Sequence, residues 1–96
     1  MHIRILARII SVQAPLYAEL IAQGCEEGVF VTDNPLECAE FILSAIQFLT
    51  DIGISPWTEE ELQRRVAAIP RLLEALLQAP TGSFDFLRDI LDNLYR

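Results

Sequence analysis

The sequence predicts an all-α protein, an antiparallel bundle of about four helices folded as a single domain over residues 1–96. Three observations point to it. Apolar residues recur at helical spacing along most of the chain, and no strand-like alternation persists beyond a few residues. Proline, glycine and capping residues fall between the periodic stretches, where helices must stop and start. Finally, 52% of the residues are hydrophobic, above the usual share of a soluble domain, so part of that surface should be exposed or meet a second subunit. No apolar run reaches the length of a bilayer span, and the basic residues near the start are not followed by a long apolar stretch. A cytoplasmic location with no membrane partner is expected.

The first helix is predicted over residues 1–27, with Leu6, Ile9, Ile10, Leu16, Tyr17, Leu20 and Ile21 at helical spacing. Pro15 has no N–H for the backbone ladder, so a kink, or two helices meeting near Gln13, is expected. Gly28 tolerates the left-handed conformation that ends helices.

The second helix, residues 35–52, opens with Asn34 as N-cap, Pro35 in the first helical position and Glu37 where a capping acid belongs. Its polar residues Glu37, Glu40, Ser44, Gln47 and Asp51 fall within an arc of roughly 80°. Nearly all the rest is apolar. A helix at the edge of a core needs one apolar face, and this one has enough for two, so it should be sandwiched.

Gly53 and Pro56 precede a third helix, residues 59–79, with Thr58 as cap, Glu61 three residues on and Trp57 placed to staple against Leu62. Glu60 with Arg64, and Glu61 with Arg65, are expected to pair across one turn. Leu62, Val66, Ile69, Leu73, Leu76 and Leu77 form its apolar stripe. Beside that stripe, past Leu72, Ala68, Ala75 and Ala79 make a flat flank that another helix could approach closely. Pro70 should kink this helix. A fourth, short helix over residues 84–95, capped by Ser83 or Asp85, should depend on docking for its stability.

Several functions are excluded by composition. Fourteen carboxylates against seven arginines give a net charge of −7, a field that repels phosphate, and no helix carries a basic stripe to overcome it. His2 is the single histidine, and Cys25 and Cys38 are the two cysteines. Acid–base and nucleophilic chemistry thus lack their usual parts, no Cys/His cluster has metal-ligand spacing, and no enzyme activity, metal or cofactor is expected. The acidic run Glu59 to Glu61 is accounted for by capping and the helix dipole. Cys38, early in the second helix, is the one thiol whose position favours a reactive thiolate, though Glu37 and Glu40 oppose it.

The text LYAELIAQGCEEGVF, then TDNPLECAEFILSAIQFL, then RLLEALLQA, over roughly residues 9 to 79, resembles the C-terminal half of a TetR-family transcriptional regulator. Gly28, Val29 and Phe30 match the glycine–apolar–phenylalanine turn that closes the family's penultimate stretch. The resemblance implies that the helices opening at Asn34 and Thr58 pack against their twins in a four-helix bundle that holds a homodimer. Ile46, Leu49, Ala68, Leu72, Ala75, Leu76 and Ala79 would form that interface. It also implies an unknown small-molecule effector, with Gln13, Tyr17, Phe41, Gln47 and Phe48 as candidates to line its pocket. The family's DNA-reading helix-turn-helix and several pocket helices are absent from this text, so DNA contact would come only through a missing N-terminal domain. The reading with which this competes is a stand-alone helical adaptor whose apolar face receives another protein.

Overall fold

The computed structural model describes the backbone of residues 2–50 and 56–95. Every element among them is α-helical: α1 His2–Glu26, α2 Pro35–Thr50, α3 Glu59–Leu77 and α4 Phe86–Tyr95. Each helix packs chiefly on the next in chain order. The last two residues of the predicted second helix lie outside the described residues.

α1 runs without interruption through Pro15, correcting the alternative of two helices meeting near Gln13. Pro15 removes a single ladder bond from a helix of 25 residues, and its neighbour Ala14 is fully buried against α2, so packing holds the helix through the gap. The end of α1 is a two-bond cap. The N–H of Gly28 donates to the Cys25 carbonyl at 3.1 Å and that of Val29 to the Gly24 carbonyl at 2.8 Å, with Gly28 in the left-handed region at φ 78°. The Phe30 ring then folds back onto Gly24, occupying the space a β-carbon there would need. From this turn the Val31 N–H reaches the Leu77 carbonyl at 2.8 Å, satisfying an acceptor orphaned at the end of α3.

At the start of α3 the Thr58 hydroxyl accepts from the Glu61 N–H at 3.1 Å, and the Glu61 carboxylate accepts from the Thr58 N–H at 2.8 Å. That reciprocal pair holds the Glu61 carboxyl below the ordinary glutamate range, with Arg65 and Arg64 adding to it. Because the carboxylate is committed to the cap, the expected Glu61–Arg65 ion pair does not form. Arg65 lies over the Trp57 ring, 3.6 Å from its centroid, and donates to the Glu61 carbonyl at 3.0 Å. The Trp57 indole N–H donates to the Leu49 carbonyl at 2.9 Å, tying the approach to α3 onto the end of α2.

The far end of α3 departs from the expected range. The helix stops at Leu77, Gln78 is left-handed at φ 51°, and its N–H returns to the Glu74 carbonyl. Ala79 precedes Pro80, and a residue before proline is pushed out of the helical region. Ala79 therefore lies past the helix and not on its flank. The fourth helix also starts later than residue 84: residues 81–85 form turns, with the Ser83 N–H on the Pro80 carbonyl at 3.1 Å and the Asp85 N–H on that of Gly82 at 3.2 Å.

Two small cores result. Leu62, Val66, Ile69 and Leu73 of α3 are buried with Ile42, Ile46, Trp57, Phe84 and Leu87 packed around them. Ala14, Ile21, Ala39 and Leu77 make the second, at the junction of α1, α2 and α3. The molecule measures 39 × 30 × 18 Å, a slab about two helices thick. Such a shape leaves broad faces uncovered.

A buried acid fastens the α3–α4 turn. Glu74 is 7% exposed; its carboxylate accepts from Arg71 at 3.0 Å and from the Gly82 N–H at 2.8 Å. Burial pushes this carboxyl up, but the Gly82 N–H and Arg71 outweigh it and the net shift is downward. A carboxyl whose pKa is lower folded than unfolded stabilises the fold above its unfolded value, near 4.3. That contribution disappears as pH falls through the folded value. Thermal melts from pH 7 downward should lose midpoint in this acid range. Glu74→Gln should melt lower at pH 7 and lose less on acidification; equal acid sensitivity of the two chains would refute this role.

Candidate functional site

The open face lies between α2 and α3. In a helix, residues four apart share a face, and Phe41, Ala45 and Leu49 form such a row on α2. Ala68, Leu72 and Leu76 form another on α3, with Ala75 beside it. The helices contact each other through Ile42 and Ile46 of α2 and Ile69 and Leu73 of α3, which leaves the two rows standing as the walls of a groove. The groove has a volume of ≈ 530 Å³, and its ten lining residues are all apolar. Phe41 is 66% exposed and Leu72 62% exposed. Isolated exposed apolar residues are ordinary, but a contiguous apolar trough between two helices marks a surface that another body covers.

Of the residues expected at a dimer interface, Ile46, Leu49, Leu72, Ala75 and Leu76 line this one groove. Ala68 is exposed on the same flank of α3, and Ala79 is half-buried beyond the helix end. The groove also takes in Ala45 and the floor residues Ile42, Ile69 and Leu73. The four-residue steps Phe41–Ala45–Leu49 and Leu72–Leu76 carry the signal that finds the walls in the sequence.

The effector-pocket candidates are not gathered in one cavity. Phe41 belongs to the α2–α3 groove, and Phe48, seven residues on along the same helix, is half exposed. Gln47 is partly buried in the polar arc of α2. Gln13 instead lines a shallow recess of ≈ 350 Å³ with Ile5, Arg8, Ile9 and Val12 on α1, and Tyr17 is exposed one turn further along. That recess is part of a second uncovered stripe: Ile5, Val12, Leu16 and Leu20 are exposed, while Ile10, Ala14, Ala18, Ile21 and Cys25 of the same helix face the core.

Polar side chains that could do chemistry are not concentrated at either surface. Among the described residues no three of His, Cys, Asp and Glu converge to hold a metal ion, and no helix is long and apolar enough to cross a membrane. In comparison with known families, a model described as the tetracyclin repressor-like, C-terminal domain matches residues 1–72. The chain belongs to this family. The match takes in α1, α2 and most of α3, and so both helices that build the groove. As a TetR-like C-terminal domain, the chain belongs to a class of regulatory rather than catalytic domains. No curated protein and no solved structure matches the chain significantly.

Proposed function

We propose that this TetR-like domain is the dimerisation and effector-response part of a cytoplasmic transcriptional repressor, with no catalytic role and no DNA contact of its own. The observation that carries the reading is the groove between α2 and α3, apolar in every lining residue. The occupant proposed is the same pair of helices from a second copy, which would complete a four-helix bundle. Closely spaced ridges of side chains four apart are what helix-on-helix packing uses, and Ala68 and Ala75 permit close approach.

In this reading Phe41 and Phe48 belong to the subunit contact. The effector side is assigned to the stripe on α1 around Gln13 and Tyr17, where an apolar wall carries a few polar groups. The two surfaces lie on different helices. An effector that binds one arrangement of the dimer more tightly would shift the population toward it, and α2, packed on both α1 and α3, is the element that couples them.

The test is the mass of the particle in solution. Light scattering at micromolar concentration should give twice the chain mass, with strong helical circular dichroism. A monomer mass with the helical signal intact would sink the proposal.

A further inference from the structure

Neither the groove nor the α1 stripe involves the two cysteines, yet the fold brings both to one residue. The Cys25 thiol, at the end of α1, donates to the backbone carbonyl of Thr32 at 3.7 Å. The Cys38 sulfur, in the second turn of α2, lies 3.2 Å from the Thr32 hydroxyl oxygen. Both side chains are half-buried, and both pack against the same core cluster of Ala14, Ile21, Ala39 and Leu77. The described residues offer no metal-binding group around them. From this convergence on Thr32 we infer that Cys25 and Cys38 are a redox-active pair, which a hydroperoxide converts to a disulfide across the α1–α2 turn.

A carbonyl oxygen can only accept, so in its contact with Thr32 the Cys25 thiol is the donor. The Thr32 hydroxyl accepts from the Asn34 N–H at 3.1 Å, and between it and the Cys38 sulfur either atom can donate. One thiol attacks the peroxide and the other resolves, here Cys38 and then Cys25. The Cys38 thiolate takes the terminal oxygen of the hydroperoxide, the O–O bond breaks, and the alkoxide leaves as an alcohol with the Cys38 proton. This gives a sulfenic acid on Cys38. The Cys25 sulfur then attacks the Cys38 sulfur, the S–O bond breaks, and hydroxide leaves as water with the Cys25 proton. Two thiols are oxidised and one peroxide is reduced. Thr32, in the connecting loop, must turn aside for the sulfurs to meet.

The product would tie the last turn of α1 to the beginning of α2. Because the bond lies within one chain and away from the groove, its formation can be scored whatever the oligomeric state. Treating the folded chain with hydrogen peroxide and digesting it without reductant should yield a peptide linking Cys25 to Cys38, with about 2 Da lost from the intact mass. In the Cys25→Ser chain the sulfenic acid has no resolving partner. A dimedone adduct should then accumulate on Cys38. Persistence of both thiols would overturn the inference. So would over-oxidation of Cys38 with Cys25 untouched, or disulfides found only between chains.

Discussion

Leu73→Ala should lower the stability of the chain by about 2–5 kcal/mol, and by a similar amount at every protein concentration. Leu73 is 8% exposed and sits in the cluster with Leu62, Val66 and Ile69. Its side chain is at once part of the core and the floor of the groove. Truncation removes apolar contacts that hold α3 to α2 and leaves a void in a slab too thin to collapse around it without moving a helix. Urea denaturation followed by circular dichroism at two concentrations measures the effect. A loss below about 1 kcal/mol would mean that the α2–α3 contact is looser than the structure shows.

Ala75→Arg should do the opposite, sparing the subunit's own core and weakening association. Ala75 is exposed on α3 and lines the groove, with its helical direction about 160° from that of Leu73. Arginine there has room in an isolated chain. Between two closely packed helices it would bury an unpaired charge, which costs several kcal/mol. A loss of about 3 kcal/mol corresponds to roughly a hundredfold rise in the dimer Kd. Sedimentation over a dilution series should show it directly. The melting temperature of the variant should also fall below that of the parent chain where the parent is dimeric and approach it on dilution, because dimer stability follows mass action. An unchanged dimer mass together with an unchanged melting curve would show that this flank faces solvent, and the groove would need another occupant.

Much of the fold can be read from spacing, because spacing alone decides which way a helical residue points. Of the stripe expected on α3, Leu62, Val66, Ile69, Leu73 and Leu77 are buried, whereas Leu76 is exposed in the groove wall. The box of Thr58 and Glu61 is equally local: residues three apart close on one another once a helix starts. What spacing leaves undecided is the choice among partners. Arg65 has Glu61 one turn before it and Trp57 beyond, and it turns to the ring because the cap has already claimed the carboxylate. Glu74 reads as one more surface acid, and is buried because a turn eight residues downstream presents the Gly82 N–H to it. The same limit applies to the groove. The rows on α2 and α3 are visible as four-residue steps, but their facing each other depends on the rotation of two helices, which no local pattern encodes. Phe41 illustrates it: an exposed aromatic suits a ligand pocket or a subunit contact, and its position opposite Leu72 and Leu76 is a tertiary fact.

The contact between Gly24 and Phe30 binds two positions into a single unit of inheritance. Any larger side chain at 24 would have its first carbon inside the Phe30 ring, so a drifting lineage cannot change 24 first without displacing 30. The ring has little freedom to yield, since it is stacked on Phe84 with centroids 5.6 Å apart, in the turn that leads into α4. A mutation in α1 would thus be felt in a stretch of chain some sixty residues away, which no helix joins to it directly. The workable order of substitution is to shrink position 30 first and fill position 24 afterwards. Between those two steps the descendant carries a hole against Phe84, and selection would favour its being brief.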